Sequence, residues 1–321
     1  MDHQTAAKHK LRNLAHTLLL IGGMSLLLSL CSELLFGEGI WLWVFLGVAF
    51  LMFTLPEVSP LWILRLYQAR YLHPQESPSL NRLLRELAQR AELKTVPALY
   101  WIPSRTVNAF AAGTKDDAAI AITDGLLQLL SPRETAGVLA HEVSHIANND
   151  MRLMGLADVI SRLTHMMSAL GMLLLFLSLP LLLLGVATFS LPGVLLLLAA
   201  PTISALLQLG LSRIREFEAD LEAARLTGDP EGLASALGKI SGQHSNLWQR
   251  VFLPGYREPE PSLLRTHPDT AERIRRLQEL LEVPTRSGVP LTRVDSRPMI
   301  LPSGYQAVRG PRHRIIFGIW R

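Results

Sequence analysis

The chain has 321 residues, 49% of them hydrophobic and only 18% charged, with a formal net charge of +4. A soluble domain runs near ~25% charged, and here the apolar excess is gathered into two blocks. That excludes an ordinary soluble protein, while the polar remainder excludes an all-membrane bundle. The single cysteine, Cys31, excludes an internal disulfide framework and a cysteine-based zinc site, and ten histidines remain as possible ligands. The basic residues are scattered and partly flank the apolar blocks, so they are assigned to membrane topology and not to nucleic acid.

Between Arg12 and Arg65 the only charges are Glu33, Glu38 and Glu57, and the 50 residues between Arg162 and Arg213 carry none. About 20 helical residues cross a ~30 Å hydrocarbon core, so each block is expected to hold two spans and a turn. The turns fall at Gly37-Glu38-Gly39 and at Ser190-Leu191-Pro192-Gly193. Four transmembrane helices are therefore expected, at 17–36, 40–56, 167–187 and 191–211. A cleavable signal peptide is disfavoured, because a second apolar segment follows the first at once without a small-residue cleavage site. Glu33 is read as reaching the interface, and Pro180 as a kink in the third span. Lys8, Lys10, Arg12, Arg65, Arg70, Arg152, Arg162, Arg213 and Arg215 flank the spans, and the two turns contain no Lys or Arg. Both polar segments are thus expected on the cytoplasmic, positive-inside face.

The expected organisation is a membrane hairpin over 1–56, a first polar part over 57–166, a second hairpin over 167–211, a second polar part over 212–285 and an Arg/Pro-rich tail over 286–321. In the first polar part, Leu80, Leu83, Leu84 and Leu87 repeat at helical spacing, which predicts an amphipathic helix over 79–93. Strands are predicted at Ala98–Ile102, Val107–Ala112 and Ala118–Thr123, with Asp124 capping a helix that runs into Leu130. Ser131-Pro132-Arg133-Glu134 has the parts of a capping box, so a helix should run from there through Asn149. The fold class is α+β, helix-rich with a small β-sheet.

That capped helix contains His141-Glu142-Val143-Ser144-His145. Histidines at i and i+4 share one helical face, so both rings can reach one ion. Glu142 is offset by one residue, close enough to address a water without ligating. The bland alternative is two surface histidines on a polar helix. A zinc site needs a third protein ligand. Beyond the second apolar block, Glu216 and Asp220 are again i and i+4, which suits a ligand carboxylate with a second carboxylate that orients a histidine. With Glu218 and Glu222 on the same helix, a solvated acidic face is the alternative.

Asn108-Ala109-Phe110-Ala111, the H-E-x-x-H at 141–145 followed by Asn149-Asp150, the S-R-x-x-E-x-x-A-D at 212–220, and Thr266-His267-Pro268 with Arg273-Ile274 occur in that order. Together they resemble the HtpX-type membrane zinc metalloproteases, relatives of the CAAX prenyl endopeptidases, from the first span to about residue 282. The resemblance implies a zincin-like metalloprotease domain and one zinc ion. It assigns His141, His145 and Glu216 as ligands, Glu142 as general base and Asp220 behind a ligand, and it places the Asn108–Ala111 strand beside the cleft.

Peptide hydrolysis also needs a second donor for the developing oxyanion. His267 is the first candidate and Arg273 the next; the alternatives are a helix-entry histidine and a structural arginine. Substrate is expected to add as an extended strand along the sheet edge, which suits unfolded or misassembled polypeptides. The resemblance further implies quality control in the bacterial inner membrane, so the lipid bilayer is the other expected partner. A prenyl-protein-type endopeptidase and a non-catalytic membrane scaffold that retains its zinc site are the rival readings.

Overall fold

A computed structural model of the chain describes residues 3–54, 60–185, 190–244 and 270–282. The helices are α1 (His3–Phe36), α2 (Ile40–Thr54), α3 (Pro60–Leu66), α4 (Pro78–Arg90), α5 (Asp124–Leu129), α6 (Pro132–Ala147), α7 (Asp150–Leu177), α8 (Leu179–Leu183), α9 (Leu191–Thr227), α10 (Pro230–His244) and α11 (Thr270–Glu282). The strands are β1 (Arg70–Tyr71), β2 (Ala98–Ile102), β3 (Ala109–Gly113) and β4 (Ala118–Thr123). Contacts divide the chain into two units. One gathers α1, α2, α7, α8 and α9 as far as Glu218; the other gathers the sheet, α3 to α6, α10, α11 and α9 from Ala219. Helix α9 runs unbroken through that boundary.

The sheet is mixed, in the order β1-β2-β4-β3. β2 and β4 are parallel, with Tyr100 opposite Ala121, while β3 returns antiparallel with Ala111 opposite Ile120. β4 is buried along its whole length and forms the centre; β3 ends the sheet. The β3–β4 turn needs glycine: Gly113 has φ +95°, and a Cβ there would meet the Asp117 carbonyl oxygen at 2.1 Å. Leu80, Leu83, Leu84 and Leu87 of α4 are all buried, as their spacing predicts. The two-residue strand β1 was not foreseen. Thr123, not Asp124, caps α5: its Oγ1 accepts from the Leu126 N–H, because Thr123 holds the extended backbone a cap requires.

Helix α6 begins as its sequence dictates. Ser131 Oγ accepts from the Glu134 N–H, the Glu134 carboxylate accepts from the Ser131 N–H at 2.8 Å, and Pro132 opens the first turn. Leu139, Val143 and Ile146 are fully buried. Gly137 lets α10 approach closely, since a Cβ there would lie 2.9 Å from Leu233 Cα. The helix ends where Asn149 takes φ 56°, a left-handed conformation that asparagine tolerates better than most residues.

In the other unit α1 packs against α2 and α7. Met24, Leu28, Val48, Ala157, Ile160 and Leu211 form its core. Ser25, Ser29 and Ser32 are buried on α1 and donate to carbonyls one turn back, so they enter the core without orphaned hydroxyls. Ser168 of α7 donates to the Leu197 carbonyl of α9 at 2.6 Å. Among the described residues three helices, not four, are long and apolar enough to cross a bilayer: the Leu14–Phe36 part of α1, α7 and α9. The second expected span is the 15-residue α2, and at ~1.5 Å per residue it reaches about 22 Å, short of a ~30 Å core. Pro180 does not kink a span: α7 ends at Leu177, and the proline sits in the first turn of the short α8. Helix α9 continues from the apolar stretch straight into the charged one. The tail over 286–321 lies outside the described residues.

Candidate metal centre

His141, Glu142 and His145 come from one stretch of α6, which its cap and its buried apolar face hold in place. The two rings meet edge to face, with centroids 4.6 Å apart and planes at 86°. Their Nε2 atoms lie 3.1 Å apart. Two nitrogens at ~2.0–2.1 Å from one tetrahedral zinc are about 3.3 Å apart, so the pair already has the spacing of two ligands.

Asp220 fixes the first ring. His141 Nδ1 faces Asp220 Oδ1 at 3.0 Å, and both side chains are buried. An Nδ1–H facing this carboxylate would leave the Nε2 lone pair toward the site. Asp220 is held in turn by Arg273 of α11, whose Nε and Nη2 donate to its two oxygens at 2.7 and 2.6 Å. Burial alone raises the Asp220 carboxyl. Arg273 and His141 outweigh burial and hold it below the usual carboxylate range. Arg273 itself is buried, with Nε and Nη2 both on this carboxylate.

Glu216 precedes Asp220 by one turn of the same unbroken helix, so the position of Asp220 carries it along. The ligand atoms offered by His141, His145 and Glu216 all lie within 4.8 Å of one another. Two imidazole nitrogens and one carboxylate oxygen suit zinc, and three protein ligands leave a fourth position open. The donor set fits the metal.

The Glu142 carboxylate does not join that group. Its Oε2 accepts from the Ala111 N–H of β3 at 2.9 Å. The strand is fixed at its start, where the Asn108 N–H donates to Thr123 Oγ1 at 2.9 Å and the Asn108 carbonyl accepts from the same hydroxyl at 2.8 Å. Ala109 and Phe110 are buried beside them. Asn108–Ala111 is therefore brought to Glu142, on the strand that ends the sheet. His267 lies outside the described residues.

A second charged cluster escaped sequence reasoning. Arg215, one residue before Glu216, donates from Nε to Asp150 at 2.6 Å and from Nη1 to Glu218 at 2.6 Å. Arg215 and Asp150 are both buried. Asp150 is itself a motif residue and Arg215 stands next to one, but 65 residues separate the partners, and no local spacing pairs them.

One acidic residue between two histidines on a capped helix, a third donor one turn from a carboxylate that orients a histidine, and an edge strand beside the acid are the arrangement of a metallopeptidase. The chain belongs to peptidase family M48, which it matches over residues 74–281. It is 38% identical to a "Protease HtpX homolog" of Acaryochloris marina, over 67% of this chain and 76% of that protein. It is 37% identical to one of Paraburkholderia phytofirmans, over 68% and 79%. A similar homolog of Burkholderia thailandensis is 35% identical over 76% and 87%. The solved structure of S. mikatae Ste24p aligns with a TM-score of 0.44 and 23% identity, covering 84% of this chain and 67% of that one.

Proposed function

We propose that this member of the M48 metalloproteases is a zinc endopeptidase of the bacterial inner membrane that cleaves unfolded or misassembled polypeptides as quality control. The observation that carries the reading is the convergence of one ligand atom each from His141, His145 and Glu216 within 4.8 Å, with Glu142, next in sequence to His141, held on a backbone bond. Zinc, when bound, supplies the acidity that makes water a nucleophile at neutral pH, lowering its pKa from ~15.7 toward ~7.

Glu142 is the general base. Its Oε2 is held by the Ala111 N–H, so Oε1 takes the proton from the attacking water and passes it to the leaving peptide nitrogen. Asp220, kept anionic by Arg273, holds the proton on His141 Nδ1 and keeps the ring aimed. Arg273 acts through Asp220. His267 is the proposed second donor to the oxyanion. The outward edge of β3 takes the substrate as an added strand, through backbone groups that read little sequence.

Removing the metal tests the reading. The purified chain should degrade an unfolded polypeptide, lose that activity with a chelator and regain it on returning stoichiometric zinc. Activity that persists in metal-free protein would overturn it. The basic residues beside the apolar helices support a cytoplasmic location for the α6 and α9 site segments. In a Cys31→Ser background, a membrane-impermeant thiol reagent should label Ser190→Cys in intact cells and Ser104→Cys only after lysis. The reverse pattern would move the site to the other face.

A further inference from the structure

Helix α3 has two faces of opposite character. Pro60 and Leu64 are buried, and α3 packs on β3 and β4. Tyr67, just beyond its end, meets Phe110 of β3 with ring centroids 5.1 Å apart. Pro60 Cγ lies 3.2 Å from where a Cβ on Gly113 would stand. The helix is thus seated directly on the edge strand. Its other face is apolar and uncovered: Leu61 is 51% exposed, Trp62 69% and Leu66 58%, against 2% for Leu64. At ~100° per residue, Leu61, Arg65, Trp62 and Leu66 follow one another around a single arc. The arc carries no acidic residue, and its one charge is the exposed Arg65.

The place of this arc in the chain decides what covers it. The apolar helix α2 ends at Thr54, and only five residues separate it from Pro60. An extended chain covers at most ~3.5 Å per residue, so a five-residue link is short. Tryptophan, leucine and arginine on one face are what a helix at the acyl–headgroup boundary presents. Three side chains are too few for a stable protein interface, which takes ~800 Å² from each partner. Inserting such a face ~5–10 Å into a bilayer needs no partner surface.

We propose that α3 is a foot by which the protease unit rests on the bilayer surface, with Leu61, Trp62 and Leu66 in the acyl–headgroup boundary and Arg65 on anionic headgroups. Because α3 is packed on β3, the foot sets the substrate-accepting edge at the membrane surface. The substrates favoured there are extended segments that emerge from the bilayer. This second step rests on the endopeptidase reading above; the lipid contact does not.

The test uses the full chain in nanodiscs of mixed phosphatidylcholine and phosphatidylglycerol, in a Cys31→Ser, Glu142→Gln background that prevents self-cleavage. A fluorophore on Trp62→Cys should be quenched by lipids bearing a headgroup-proximal nitroxide several-fold more than one on Gln89→Cys of α4. Quenching by aqueous iodide should rank the two sites the other way. Equal behaviour at both sites overturns the foot. Shielding from iodide without lipid quenching also overturns it, and assigns the face to a protein or a second copy. With Glu142 restored, Trp62→Asp should lower cleavage of a membrane-anchored extended substrate by roughly tenfold or more, as loss of positioning does. The same peptide free in solution should be cut as by wild type. Leu61→Ser repeats this comparison if the aspartate variant does not fold. Equal loss on both substrates, or on neither, removes the substrate step. A wild type that cleaves neither refutes the endopeptidase reading and leaves the quenching result standing.

Discussion

Helices α6 and α9 supply the donors of the metal centre, and they are held by opposite means. Helix α6 is placed by local rules. Its capping box closes within four residues, Pro132 begins its first turn, and both histidines and the acid lie in five consecutive residues. Helix α9 runs 37 residues, and its charged end is pinned from far along the chain. Arg215 pairs with Asp150, 65 residues away, and Asp220 with Arg273, 53 away. Arg90 caps its last turn by donating to the Leu226 carbonyl from 136 residues away. A locally coded helix loses stability in small steps when one group is changed. A helix held by buried ion pairs loses much at once, because the remaining partner is left charged and buried.

The largest expected effect lies on α6. Glu142→Gln is nearly isosteric, and its amide oxygen can still accept from the Ala111 N–H. It cannot take a proton. Turnover on an unfolded substrate should fall by ~10²–10⁴, while zinc content, measured on the same preparation, stays at the wild-type level. A glutamine variant that turns over normally removes Glu142 from the reaction. One that loses zinc makes it a structural member of the site.

The same contrast explains what was legible in the sequence. The buried positions of α4, the limits of β2 and β4 and the start of α6 follow from periodicity and capping, which are local. The two histidines and Glu142 are legible from their spacing. Glu216 and Asp220 needed the family resemblance, because spacing alone leaves a solvated acidic face equally open. The Ala111–Glu142 bond, the Arg273–Asp220 pair and the Arg215–Asp150 pair join residues distant in sequence, and no pattern within one segment announces them. Composition counted four spans because it measures apolar character and not helix length, and α2 falls short. It also placed a boundary at Leu211, where hydrophobicity changes while the hydrogen-bonded helix continues.

A second prediction sharpens the comparison by pH. Glu134 at the start of α6 is buried, which on its own raises its pKa. The Lys239 ammonium, the Ser235 hydroxyl and the Ser131 donors outweigh burial and bring it down to about 2 from 4.5. A carboxyl depressed in the folded state binds protons less readily there than in the unfolded chain. Its stabilisation is therefore full above about pH 5 and is lost as pH falls toward 2. The span corresponds to about 3 kcal/mol. Denaturant unfolding of wild type should show that slope, and Glu134→Gln should flatten it. An unchanged slope would assign the acid lability to other carboxylates.

The smallest effect belongs to α9 and to metal affinity. Asp220→Asn keeps the side chain's size and one acceptor oxygen for Arg273, but removes the charge that holds the proton on His141 Nδ1. The ring can then turn or change tautomer, so its Nε2 is aimed at the site for only part of the time. No ligand is lost. The affinity for zinc should fall by the ~10–100-fold typical of a group that acts behind a ligand, read by competition with a chelator of known strength. Glu216→Ala removes a ligand and should fall further in the same assay. The order of the two variants is the decisive reading. If Asp220→Asn weakens zinc more than Glu216→Ala, Asp220 is the metal's own ligand, and the ion lies nearer the Arg273 pair than the His141, His145 and Glu216 donors indicate. If Asp220→Asn leaves affinity unchanged, the ion pair with Arg273 serves only to hold α9 against α11, and His141 is oriented by its helix alone.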